Sequence, residues 1–223
     1  MRPQGPLTFI DEPGVALIEA AIPNAPEGKY ISQIPTPTNL LTAASALRSS
    51  GVTDMKLYNF IKERRPPVVR ADTIIYNMGS TTCMDFEYNY AHEYLTLLRD
   101  WNPHSRIVVI GYHAWLHDAE IKAKGFETTS AHHFENDLVQ HLGPPIEWHN
   151  AWERNDWAWM HANVSSKNKG IRVTIRASRG CPHKCQMCPV LQVYGAKVQR
   201  YSIDWVMEEL EALYRGYGVR QIG

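Results

Sequence analysis

Three cysteines fall within eight residues of one another in the segment Arg179-Gly180-Cys181-Pro182-His183-Lys184-Cys185-Gln186-Met187-Cys188-Pro189. Thiolates are the usual protein ligands of iron–sulfur clusters, and three on one short loop can converge on a single inorganic centre. Three ligands on a four-iron cluster leave one iron open, free to coordinate a substrate or cosubstrate. Zinc is a competing reading, because a structural zinc site takes four ligands and this loop offers His183 beside the cysteines. A redox dithiol is another, because Cys185 and Cys188 form a Cys-x-x-Cys pair. The fourth cysteine, Cys83, is remote in sequence. In a reducing compartment such clustering argues for metal ligation over a disulfide framework.

Other polar residues carry weaker signals. His113 and His117 stand four apart and would share a face only if both were helical, with Asp118 and Glu120 nearby; His132-His133 is a second pair. Surface or packing roles are the plainer reading, with a metal site as the alternative. Arg179, two residues before the first cysteine of the trio, either tunes the charge of a bound centre or is a solvated turn residue.

The elements that must position these residues follow from apolar patterning. Val15 to Ala21 reads as a first strand after a Pro-rich start. Thr38 or Asn39 caps a helix through Leu40, Leu41, Ala44 and Leu47 that stops near Gly51. Met55 to Phe60 and Thr73 to Asn77 read as strands, and Gly79-Ser80-Thr81-Thr82 as a small polar turn. Tyr90, Tyr94, Leu97 and Leu98 recur at helical spacing. Arg106 to Ile110 is the strongest strand signal, and Gly111 ends it. A short helix around Asp118 to Lys124, a weak strand at 125–128 and a helix from Glu135 to Leu142 follow. Strands alternating with helices predict a mostly parallel, doubly wound sheet. Such sheets bind ligands beyond the carboxyl ends of their strands, here the loops after Ala21, Asn77 and Ile110.

Residues 144–170 hold Trp148, Trp152, Trp157 and Trp159 with little periodicity and read as a connecting segment. Ile171, Val173 and Ile175 alternate with polar residues as a strand. Ser178-Arg179-Gly180 turns into the cysteine loop. Ser202 is placed to cap a helix through Ile203, Val206, Met207, Leu210, Leu213, Tyr214 and Tyr217, and Val219 to Ile222 opens a further strand. The expected organisation is a sheet domain over 1–143, a Trp-rich linker over 144–170 and a strand–loop–helix–strand unit over 171–223.

Bulk properties restrict the partners. The chain has 223 residues, 44% of them hydrophobic, with 23 basic and 23 acidic side chains. This balance gives no electrostatic case for nucleic acid or a membrane surface. No run of 18 apolar residues predicts a transmembrane helix, and residues 1–6 lack the apolar segment of a signal peptide. A cytoplasmic protein is the expectation.

The spacing Cys181-x-x-x-Cys185-x-x-Cys188 resembles the signature of the radical S-adenosylmethionine superfamily. Ser178-Arg179-Gly180-Cys181-Pro182 before it, and Tyr194-Gly195 through Tyr217-Gly218-Val219 after it, fit as well. With a sheet domain in front, the chain resembles the subgroup carrying an N-terminal cobalamin-binding domain, whose members include methyltransferases and ring-forming enzymes. The resemblance implies an α/β protein: a Rossmann-like, doubly wound parallel sheet followed by the first β-loop-α-β unit of a partial (β/α) barrel. It implies that Cys181, Cys185 and Cys188 hold three irons of a 4Fe-4S cluster. The fourth iron would chelate S-adenosyl-L-methionine, whose reductive cleavage starts radical chemistry leading to methyl transfer or a carbon-skeleton change.

Met187 stands where the family usually has an aromatic residue against the adenine. Ser80, Thr81 and Gly111 match positions that would contact the tail of a cobalamin, although Tyr112 replaces a second glycine and no Asp-x-His-x-x-Gly segment offers an axial histidine. A small-molecule substrate and an electron donor are the partners implied. Only 35 residues follow Cys188. A barrel of six strand–helix units at ~30 residues each needs about 180. The expectation is therefore an incomplete barrel, from a truncated, split or partial sequence, with a partner chain supplying the remainder. The rival readings are a non-catalytic cobalamin-like or protein-binding domain with a vestigial cluster loop, and a zinc-stabilised interaction module.

Overall fold

The structure, a computed structural model, describes residues 7–19, 38–60, 66–78, 85–129, 135, 137–139, 173–186, 188, 191, 195–216, 219 and 222. Five strands form one parallel sheet in the order β2-β1-β3-β4-β5: β1 is Phe9–Glu19, β2 Met55–Asn59, β3 Val68–Asn77, β4 Arg106–Ile110 and β5 Glu127–Thr128. Between them run helices α1 (Thr38–Ser49), α2 (Asp85–Trp101), α3 (Tyr112–Leu116) and α4 (Asp118–Ala123). A second, two-stranded antiparallel ladder joins β6 (Ser178–Arg179) to β7 (Gln199–Arg200). Helix α5 (Ile203–Glu211) follows and runs into a π turn over Ala212–Gly216.

Strand side chains alternate between two cores, as the period of two requires. Ala16, Ile18, Ile74, Tyr76 and Val109 face Ala91, Tyr94, Leu95 and Leu98 of α2 and Ile121 of α4. Val15, Leu17, Ile75, Val108 and Ile110 face Leu40, Leu41, Ala44 and Leu47 of α1. Both faces of the sheet are covered, so its central strands read as continuous apolar runs. The order, with its reversal between β1 and β3, is the flavodoxin-like form of the doubly wound fold, in which a crevice opens beyond the carboxyl ends of those two strands.

Most expected elements occur, with three differences. Strands β1 and β3 begin earlier than their apolar runs, pairing Phe9 with Val68 through a register shift between Glu12 and Val15. Before the expected helix at 118 the chain forms an extra one, α3, directly after Gly111. The strand expected over 171–175 is reduced, among the described residues, to a single parallel bridge between Val173 and Ile222. Val173 enters the α1-side core, and Arg176, just after the expected strand, reaches Asn39 of α1. The turn at 79–82, the Trp-rich segment, the His132-His133 pair and Cys83 lie outside the described residues.

Candidate cysteine-loop site

The cysteine loop leaves β6 and returns at β7, so the pairs Ser178–Arg200 and Arg179–Gln199 form its neck. Gly180 leaves the neck at φ +91°, and a Cβ there would stand 2.3 Å from the Lys197 carbonyl oxygen. Only glycine both adopts that left-handed conformation freely and lets the two arms of the neck approach so closely.

Along the loop Cys181 and Cys188 are half-buried and Cys185 is exposed, and all three are free thiols. The Cys188 N–H donates to the Cys185 carbonyl at 3.1 Å, which sets these two on one turn. Among the described residues no three His, Cys, Asp or Glu side chains are already gathered closely enough to share a metal ion. The donor set nonetheless fits an iron–sulfur cluster: three reduced, unpaired thiols on one loop with a fixed neck, the softest ligands a protein has. Met187 lies outside the described residues.

Arg179 is not a solvated turn residue. Its guanidinium donates to Glu135 at 2.7 Å, and the two side chains are only 3% and 2% exposed. Burial on this scale demands a paired charge, because an unpaired guanidinium could not be desolvated. Arg179 also hydrogen-bonds Tyr201, whose phenol burial pushes upward in pKa. Tyr201 in turn stacks on Trp205 at 4.2 Å and donates its N–H to the Ala177 carbonyl.

A second polar chain runs across the sheet crevice. Asn77, at the end of β3, donates to both carboxyl oxygens of Glu19, at the end of β1, at 3.1 and 2.8 Å. Asn39 donates to Asn77 at 3.3 Å and accepts from Arg176 at 2.9 Å. Burial pushes the Glu19 carboxyl up to about 7, against the lowering effect of Asn77. The carboxyl ends of β1 and β3 thus carry a carboxyl bonded to two amides, and Arg176 ties them to the stem of the cysteine loop.

Of the three positions proposed for a cobalamin tail, Ser80 and Thr81 lie outside the described residues. Gly111 is buried at the end of β4 with φ +102°, as the residue preceding α3. Its neighbour Tyr112 is buried edge-on to His113 at 5.4 Å.

The histidine reading is also refined. His113 and His117 do share a face, with rings parallel at 6.1 Å, and His92 joins them at 6.4 Å. His92 is lowered to about 4, first by burial and then by Lys124, whose ammonium lies 3.4 Å from its Nδ1. His117 faces Glu120 at 3.7 Å. Lys124 is itself paired with Glu120 at 2.8 Å, and among the described residues these rings are not part of a group gathered to hold a metal ion.

Sequence reasoning missed Glu19, Asn39, Asn77, Arg176 and Glu135. A weak signal existed for two: Glu19 and Asn77 are polar residues directly ending apolar strand runs, at the edge where such sheets bind ligands.

No protein-family model matches the chain. An uncharacterized methyltransferase of Pyrococcus horikoshii is 35% identical over 48 residues, covering 22% of this chain and 10% of that protein. Among solved structures, a radical S-adenosylmethionine methyltransferase, TsrM from Kitasatospora setae, with cobalamin and a 4Fe-4S cluster bound, superposes with a TM-score of 0.60 at 14% identity. The match covers 96% of this chain and 47% of TsrM, so the chain spans about half the length of that structure. What the comparison establishes is the fold: along nearly its whole length this chain shares the α/β architecture of TsrM.

Proposed function

We propose that the chain is a radical S-adenosylmethionine iron–sulfur protein of the cobalamin-domain type, acting in methyl transfer. The observation that carries this reading is the coincidence of the Cys-x-x-x-Cys-x-x-Cys loop, its thiols free, with an architecture like that of TsrM. Methyl transfer is preferred to a carbon-skeleton change because the two proteins named above are described as methyltransferases, one of them uncharacterized.

In this reading Cys181, Cys185 and Cys188 hold the cluster and Met187 lies against the adenine. Ser80, Thr81 and Gly111 contact a cobalamin tail in the sheet crevice. When bound, the cluster supplies an electron and an open iron for S-adenosylmethionine, and the corrin carries the methyl group. The protein's part is to hold the loop neck, to carry Glu19, Asn77 and Asn39 at the carboxyl ends of β1 and β3, and to join the two through Arg176. A sheet domain over 1–143, a linker over 144–170 and a barrel-type unit from 171 are the corresponding divisions, in a cytoplasmic setting. A small-molecule substrate and an electron donor are the proposed partners. Ile203, Met207 and Tyr214 expose apolar surface on α5 and the π turn. Further barrel elements would cover it.

Anaerobic reconstitution of the full chain with iron and sulfide tests the reading. About four irons and four sulfides per chain are expected, and most of both should be lost in Cys185→Ala. Iron content unchanged by that substitution, or a stoichiometric zinc site that excludes iron, would contradict it.

A further inference from the structure

We propose that Glu135 is a positioning residue for the cysteine loop, holding its neck closed through the buried ion pair with Arg179. The proposal rests on the cluster reading above and names the residues that prepare its site.

Among the described residues the neck is short: the pairs Ser178–Arg200 and Arg179–Gln199, extended by the Tyr201 N–H on the Ala177 carbonyl. A two-stranded ladder of that length is marginal by itself in water, so something outside it must hold it. Arg179 is that connection. Its backbone belongs to β6, and its guanidinium meets Glu135, a helical residue of the sheet domain, at 2.7 Å in the interior. The same side chain bonds Tyr201, the residue following β7, so one guanidinium ties both arms of the neck to one carboxylate. Arginine suits this role because its planar fork serves several acceptors at once. Three residues upstream, Arg176 on Asn39 is a second anchor from the same stem to α1.

The chemical consequence concerns Cys181 and Cys188. Both are half-buried, whereas Cys185 is exposed. Bringing three thiols onto one centre costs the entropy of ordering the loop, and a fixed neck removes part of that cost in advance. Release of Glu135 should therefore expose the shielded thiols and impair cluster assembly without touching a ligand.

The test uses the full chain, reduced and metal-free, with alkylation rates of the three cysteines read separately by mass spectrometry of their peptides. Glu135→Gln is expected to speed alkylation of Cys181 and Cys188 by about tenfold, through local opening, while Cys185 changes by less than about twofold. Glu135→Asp, which retains the charge, should lie closer to the wild type than Glu135→Gln. Asn39→Ala, which removes the second anchor together with the Asn39 bond to Asn77, should act in the same direction; if Glu135→Gln fails to fold, the milder Glu135→Asp carries the test. After anaerobic reconstitution, Glu135→Gln should hold less iron and give a broadened spin-resonance signal, with Glu135→Asp restoring both.

Unchanged rates at Cys181 and Cys188 in folded Glu135→Gln and Asn39→Ala would overturn the proposal. So would a uniform rise at all three cysteines that merely follows global unfolding. If the rates respond as expected but no cluster forms in any version, the positioning role stands and the cluster reading fails. If the cluster forms equally well in every variant, the cluster reading stands and the positioning role fails.

Discussion

Glu19 illustrates how a single side chain can make the fold sensitive to pH. Desolvation at the end of β1 pushes its carboxyl up from 4.5 to about 7, against the lowering effect of Asn77, although the side chain is half-buried and not sealed from water. A raised carboxyl pKa means that the folded state holds the proton more tightly than the unfolded one. The associated stability is fully present below about 4.5 and is lost as pH rises through about 7, amounting to on the order of 3 kcal/mol. Glu19→Gln keeps an acceptor for Asn77 and removes the charge. It should match the wild type near pH 4.5 and exceed it at pH 8 in denaturant titrations; a gap independent of pH would refute the assignment. Gly180 provides a second case. Gly180→Ala meets both a positive φ and the Lys197 carbonyl, and should cost at least ~2 kcal/mol of stability. At this scale the cysteines were legible because their spacing is itself the signal. The partner of Arg179 was not, since Glu135 is 44 positions away in sequence and no local pattern links the two.

Among the elements, those with strong periodicity or a cap could be read directly. Ser202 was recognisable as a cap, and its hydroxyl accepts the Trp205 N–H at 3.1 Å at the start of α5. Ser202→Ala should cost about 1 kcal/mol, measured as a loss of helix stability by circular dichroism during thermal melting. No loss would mean that packing alone holds the helix. The early halves of β1 and β3 were not legible, because polar residues interrupt the apolar run. There the pairing is supported by the exposed Asp11–Arg70 ion pair, at 2.6 Å, and by Arg70 over the Phe9 ring. Of the strand expected at 171–175, the described residues show one parallel bridge, Val173 to Ile222, with Val173 buried in the α1-side core.

For the molecule as a whole, the sheet and the cysteine-loop unit share one core. Val173 and Leu213 pack in the cluster that contains Leu40, Leu41 and Leu47 of α1 and Val15 and Leu17 of β1. Leu213 is fully buried there, so Leu213→Ala should cost 2–5 kcal/mol, roughly the range for core leucines. The described parts should then unfold in one transition, seen alike by helix content and by cysteine reactivity; a separate early transition at the cysteines would show that the loop unit is independent. The doubly wound class could be read from alternating strands and helices. This shared core could not, because it joins residues from opposite ends of the chain. No helix among the described residues is long and apolar enough to cross a membrane.

The central claim is that Cys181, Cys185 and Cys188 gather a cluster with one iron left open. Spin resonance of the reconstituted, reduced full chain, recorded with and without S-adenosylmethionine, tests it most directly. The account predicts a reduced four-iron signal whose g values shift when S-adenosylmethionine is added. A signal identical in both samples, or none, would contradict it.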